Sequence, residues 1–142
     1  MLFLLDTDHI TLYREENLPL QRRIGARAAE EFGVTIVSFE EQVKGWLSFI
    51  HRAQTPVKLV WGYRSLQETL RFFAKQQVLP FDETAALYFQ QLQQQRLRVG
   101  TQDLRIAAIA LANRCTVVTR NRRDFERVPG LLVEDWSVAA TE

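Results

Sequence analysis

Apolar and polar positions alternate along this chain in short blocks, and the period within each block predicts its element. Leu2 to Leu5 is a continuous apolar run that ends in Asp6-Thr7-Asp8, and it reads as a buried strand. A helix is expected through His9 to Glu15. Pro19 opens a second helix, with Ile24, Ala28 and Phe32 inward and Gly33 as its terminator. Val34 to Val37 is β-branched throughout and reads as a second strand. Ser38 starts the next helix, with Trp46, Phe49 and Ile50 at helical spacing. After the break at Gln54-Thr55-Pro56, an amphipathic helix carrying Trp61, Leu66, Leu70 and Phe73 runs to about Lys75. Val78 to Phe81 is a short strand stopped by Pro80. Asp82 caps a helix that reaches Arg98, with Ala85, Phe89 and Leu92 inward and Gly100 at its end. Thr101 caps a helix that is apolar almost all round, from Ile106 to Leu111. Thr116 to Thr119 is a strand, and Leu131 to Val133 is the last, after the Pro129-Gly130 turn.

Short apolar strands separated by helices predict an α/β fold: three layers, α/β/α, around a central parallel sheet of four to five strands. No linker, repeat or long charge run divides the 142 residues, so one domain over 1–142 is expected. Composition changes this picture little. The 46% hydrophobic and 25% charged fractions are those of a soluble globular chain, and a net charge of +1 gives no global argument for nucleic acid or membrane. The local balance differs, with eight arginines between Arg96 and Arg127 against Asp103, Asp124 and Glu126. A lone cysteine, Cys115, allows no internal disulfide and suits a reducing compartment as a buried, inert thiol. The N-terminal apolar run is too short for a signal peptide or a membrane span, so a cytoplasmic protein with no membrane partner is expected.

In parallel sheets, sites lie beyond the carboxyl ends of the strands. Acidic residues fall at such points or at helix starts, and each has a local explanation. Asp6 would serve as a turn residue or cap, with Asp8 an equal candidate for the cap. Ser38-Phe39-Glu40-Glu41 has the form of a capping box. Asp103 would meet a helix dipole in its first turn, and Asp124 would pair with an arginine of the Arg120-Asn121-Arg122-Arg123 loop or cap a helix. Together they ask for a different account. Two carboxylates about 4 Å apart repel by roughly 4 kcal/mol at an effective dielectric near 20. Asp6, Glu41, Asp103 and Asp124 gathered on one sheet edge would therefore resist ionisation unless a cation joined them. Oxygen donors favour a hard ion, Mg²⁺ or Mn²⁺, and the scarcity of His and Cys argues against zinc. Gly45, one turn beyond Glu41, costs about 1 kcal/mol in a helix relative to alanine. Close approach of a backbone or a ligand would offset that cost.

Four stretches carry a resemblance. "LLDTDHIT", "IVSFEEQVKGW", "TQDLRIAAIALA" and "VVTRNRRDFERVPGLLVEDW", in this order and spacing, resemble PIN-domain proteins, specifically VapC-type toxins of toxin–antitoxin pairs. The resemblance covers nearly the whole chain. It is most specific where Asp-x-x-Ile-Ala-Ala leads into Thr-x-Asn-x-x-Asp-Phe. It implies a PIN-like fold and Mg²⁺- or Mn²⁺-dependent endoribonuclease activity, with the metal held by Asp6, Glu41, Asp103 and Asp124. Glu41 rather than Glu40 is the match, because Gly45 follows it by four residues. Thr119 and Asn121 match polar positions that line the site. The resemblance also implies a homodimer and a protein antitoxin whose basic side chain enters the acidic pocket. The chain departs from the more usual Asp-Thr-Asn motif at Asp8, a fifth carboxylate.

A phosphodiester is anionic, and bound metal would reverse the sign of an acidic pocket. The metal would lower the pKa of an attacking water, which Asp103 or Asp124 would position. Thr7, Lys44, Thr119, Arg120, Asn121, Arg122 and Arg123 are the candidate RNA-binding residues, the basic ones through flanking phosphates. Two rival readings exist. One is a haloacid-dehalogenase-like phosphatase with Asp6 as nucleophile, although Ile10 stands where that motif wants Thr or Val. The other is a catalytically inactive PIN-like module that only binds a partner. Trp46 and Trp61 are expected in the core; either one exposed would mark a dimer or antitoxin groove.

Overall fold

The computed structural model describes residues 2–138. They build a five-stranded sheet in the order β3-β2-β1-β4-β5, with every neighbouring pair parallel. The strands are β1 (Phe3–Leu5), β2 (Phe32–Thr35), β3 (Val78–Leu79), β4 (Thr116–Val118) and β5 (Leu132–Glu134). Between them run α1 (Thr7–Arg14), α2 (Leu18–Gly25), α3 (Ile36–Arg52), α4 (Pro56–Ala74), α5 (Glu83–Gln94), α6 (Thr101–Asn113) and α7 (Arg122–Phe125).

The alternation of side chains along β1 sorts the two faces. Leu4 and Val117 pack with Ala85 and Leu92 of α5 and the apolar face of α6. Phe3, Leu5 and Val118 point the other way, to Ile10, Leu20, Phe73 and Trp136. The expected three layers are therefore present. The helix from Leu104 to Ala110 is buried almost continuously, as its composition requires. Cys115 is buried as expected, and burial pushes its thiol up.

Several boundaries fall elsewhere than the sequence pattern places them, for local reasons. Gly33 does not end a helix; it lies within β2, paired with Leu4. A Cβ there would stand 3.3 Å from the Gln77 carbonyl oxygen and 3.2 Å from Leu4 Cδ2, so the strand crossing needs the missing side chain. The second strand stops at Thr35, whose Oγ1 accepts the Ser38 N–H at 3.1 Å. Ile36 and Val37 thus enter the first turn of α3, and Ser38 is not the cap. The expected capping box does not form, because the Ser38 hydroxyl and Glu41 both lie inside the helix. Asp82 does cap α5, accepting the Ala85 N–H at 3.0 Å. That helix ends at Gln94 rather than Arg98, and Arg96 adopts a left-handed φ of 53°. Gly100 precedes α6 as its N-cap without a side-chain bond, which makes Thr101 the first helical residue rather than the cap.

Helices α3 and α4 pack closely at Gly62. A Cβ on Gly62 would fall 2.6 Å from Ile50 Cγ1 and 3.0 Å from Phe49 Cδ1. Gly62→Val is expected to force the pair apart and lower stability by about 1–3 kcal/mol. The check is a urea titration, in which the midpoint falls at an unchanged slope.

The strand order supplies the geometry of the site. The chain steps outward from β1 to β2 and β3, then returns to place β4 on the opposite side of β1. The switch point lies between β1 and β4, where the Asp6 N–H donates to the Val118 carbonyl at 3.1 Å.

Candidate functional site

Asp6 stands at the carboxyl end of β1 and is 5% exposed. Its carboxylate does two jobs. Oδ1 accepts the backbone N–H of His9 at 2.9 Å and so caps α1. Oδ2 accepts the hydroxyl of Thr119, from the end of β4, at 2.5 Å. The local explanation of Asp6 as a cap is correct, and it coexists with a place in a larger network.

That network continues from Thr119. Its Oγ1 also accepts the Asn121 N–H at 2.8 Å. The Asn121 amide nitrogen donates to Asp124 Oδ2 at 3.0 Å and to Asp103 Oδ2 at 3.4 Å. One neutral amide therefore bridges two carboxylates from different helices, α6 and α7. Across the cleft, the Thr7 hydroxyl donates to Glu41 Oε1 at 2.8 Å and lies 3.1 Å from the Ser38 hydroxyl. Glu40 faces elsewhere, accepting the Gln102 amide at 2.9 Å.

The carboxyls act on one another across these elements. Burial holds the Asp103 carboxyl up at about 6, assisted by the negative charges of Glu41, Asp6, Asp124 and Asp8. Burial likewise raises Glu41, with Asp6, Asp8 and Glu40 adding to the effect and the Thr7 hydrogen bond opposing it. Folding thus brings Asp6, Glu41, Asp103 and Asp124 into one electrostatic neighbourhood, and Asp8, exposed on α1, contributes to its field.

A shared field is not a formed coordination sphere. Among the described residues no three His, Cys, Asp or Glu side chains converge as metal ligands. Each acid rests instead on a neutral or cationic donor: Thr119, Thr7, Asn121, and for Asp124 also Arg127 at 3.1 Å. The donor set is all oxygen, and burial, reinforced by the mutual negative charge, raises two of its members. In donor chemistry and charge the residues fit a hard divalent cation.

The other candidates divide. Thr7, Thr119 and Asn121 are the hydrogen-bond donors just described. Arg120, Arg122, Arg123 and Lys44 are exposed. Arg122 pairs with Glu126 at 3.0 Å. The arginine that pairs with Asp124 is Arg127, outside the loop expected to supply it. Gly45 has nothing within 4 Å of a Cβ position, so no backbone approaches it; it lines an open cleft with Thr7, Glu41, Gln42 and Trp46. Sequence reasoning missed Arg127 and His9. His9 is wholly buried against Asp6, and a lone histidine in a polar stretch carries no sequence signal of that.

Trp61 is not core. It is 55% exposed, and Val57, Val60, Tyr63 and Leu70 on the same helix are more than half exposed. Trp46 is half-buried, facing Phe49 at 5.7 Å between ring centroids.

The profile of the PIN domain family matches residues 4–131. The chain is 33% identical over 69 residues to "Ribonuclease VapC2" of Rickettsia felis, covering 46% of the chain and about half, 52%, of that protein's length. It is 32% identical over 146 aligned positions to "tRNA(fMet)-specific endonuclease VapC" of Shigella flexneri, covering 95% of the chain and 98% of that protein. Among solved structures, DNA-bound VapBC from Salmonella typhimurium superposes with a TM-score of 0.76 at 28% identity, over 96% of this chain and 99% of that one.

Proposed function

The chain belongs to the PIN domain family, and from that premise we propose that it is a metal-dependent endoribonuclease acting as the toxin of a type II toxin–antitoxin pair. The observation that carries this reading is the convergence of carboxylates beside the switch point: Thr119 ties Asp6 to the end of β4, Asn121 bridges Asp103 and Asp124, and burial together with the neighbouring negative charges raises the Asp103 carboxyl. A surface kept merely for binding has no need to bury mutually repelling carboxylates beside the switch point of its sheet.

The cation is Mg²⁺ or Mn²⁺, and the residues to hold it are Asp6, Glu41, Asp103 and Asp124. When bound, such an ion offsets the repulsion between acidic site and phosphodiester and makes a water more acidic near neutrality. The side chains do the remaining work. Thr119 and the His9 N–H hold Asp6 in one orientation. Asn121 keeps Asp103 and Asp124 facing each other. Asp103 or Asp124, both ordered by Asn121, would position the attacking water. Exposed Arg120, Arg123 and Lys44 are free to meet RNA phosphates on either side.

The substrate is RNA and the partner is a cognate protein antitoxin; a homodimer completes the expected assembly. The exposed apolar stripe of α4 supports a partner-binding face. Trp61→Ala is expected to leave stability within about 0.5 kcal/mol and to weaken antitoxin binding about tenfold or more. Thermal unfolding and calorimetric titration of the antitoxin check the two halves. No described helix is long and apolar enough to cross a membrane. With the family established, the phosphatase reading of Asp6 falls away.

The test uses protein freed of antitoxin and a pool of cellular RNA. Cleavage is expected with Mg²⁺, to be lost with EDTA, and to be lost with Asp6→Asn. Cleavage that survives both treatments would contradict the proposal. Toxicity unchanged by Asp6→Asn would favour the binding module.

A further inference from the structure

His9 is the buried polar group that the site leaves unexplained. It sits in the first turn of α1 with 0% exposure. Its Nε2 accepts the backbone N–H of Trp136 at 3.3 Å. Nε2 also lies 3.5 Å from Asp135 Oδ1, but that oxygen is already engaged by the Ser137 N–H at 2.8 Å and the Ser137 hydroxyl at 2.6 Å. An Nε2 that accepts a hydrogen bond carries no proton, so a neutral ring must carry its proton on Nδ1. Among the described residues Nδ1 has no hydrogen-bond partner. It lies 3.5 Å from Asp6 Oδ1, slightly beyond a good bond. A buried N–H is costly to leave unpaired, and the Asp6 Oδ1 is the carboxylate oxygen beside it.

We propose that His9 is a positioning residue for Asp6: its Nδ1–H, fixed as the tautomer by the Trp136 backbone, holds the Oδ1 edge of the carboxylate inward while Thr119 holds Oδ2. The Asp6 carboxylate is thereby presented to the site in one orientation, and the segment after β5 is tied to the first acid of the chain. The histidine touches neither RNA nor cation and acts only through Asp6. The consequence for cation binding rests on the nuclease reading; the tautomer does not.

Two measurements test it. Long-range ¹H–¹⁵N correlation on the metal-free protein reads the ring directly. The expected result is a proton on Nδ1 and none on Nε2; a proton on Nε2, or on both nitrogens, would overturn the assignment. The second compares His9→Asn, whose amide N–H takes the place of Nδ1–H, with His9→Gln, whose carbonyl takes the place of Nε2. Calorimetric titration with Mn²⁺ is expected to show affinity about 10–100-fold weaker in His9→Gln and within about threefold of wild type in His9→Asn. Equal losses in both, in step with falling thermal stability, would mean that the ring only fills space, and would overturn the positioning role. Failure of the wild-type protein to bind Mn²⁺ would count against the nuclease reading, while the tautomer would still decide the case of His9.

Discussion

Asp103→Asn is expected to abolish function while making the metal-free protein more stable. RNA cleavage should fall at least about 100-fold, the upper end of the cost of disturbing even the outer contacts of a metal site. Single-turnover rates on one RNA check this. Stability should move the other way. The Asp103 carboxyl is raised from 3.8 to about 6, first by burial and then by Glu41, Asp6, Asp124 and Asp8. The folded protein therefore penalises the ionised form. That penalty is fully present above about pH 6 and disappears as the pH falls toward 3.8, because the folded chain takes up the proton before the unfolded one. Asparagine removes the charge while keeping an oxygen to accept from Asn121. The group is partly solvated, so after screening the gain at pH 7.5 is on the order of 1 kcal/mol. Near pH 4 the two proteins should unfold alike. A variant that is less stable at pH 7.5, or that cleaves normally, would contradict this.

Trp136→Ala carries the largest expected loss of stability. The indole is fully buried, tilted at 51° to the Phe3 ring with centroids 4.9 Å apart and edge-on at 5.8 Å from Phe32, with the Arg27 guanidinium 5.1 Å from its ring. Removing it opens a cavity beneath the sheet and costs about 3–5 kcal/mol. Domains of this size are stable by about 5–15 kcal/mol in all. The midpoint of thermal unfolding should drop by about 10 °C or more. A change within about 2 °C would show that the segment after β5 is not part of the core.

The legible part of this molecule is the part in which local pattern and tertiary demand agree. The apolar runs of β1 and β4 have no other stable place than a covered parallel sheet, and the helix from Thr101 is too apolar to be anything but central. The acids were legible as a set, because four of them fell where a parallel sheet builds sites. Ends of elements were less so. Ile36 and Val37 favour strand by propensity, yet the Thr35 hydroxyl captures the Ser38 N–H and turns them into a helix. Gly33 reads as a terminator from its neighbours alone; only the Gln77 carbonyl, distant in sequence, requires it in a strand. Trp61 reads as core because it sits at helical spacing, but its face of α4 is left exposed among the described residues. His9 and Trp136 were not legible as a pair, since 127 residues separate them and one backbone N–H joins them.

As a nuclease, the protein needs Asp6, Glu41, Asp103 and Asp124 to serve one cation together. The direct measurement is anomalous diffraction from crystals grown with Mn²⁺. The predicted result is density within about 2.1 Å of carboxylate oxygens from Asp6 and Asp103, with Glu41 and Asp124 completing or bordering the sphere. Density held by one acid alone, density elsewhere on the surface, or none at saturating Mn²⁺ would contradict it.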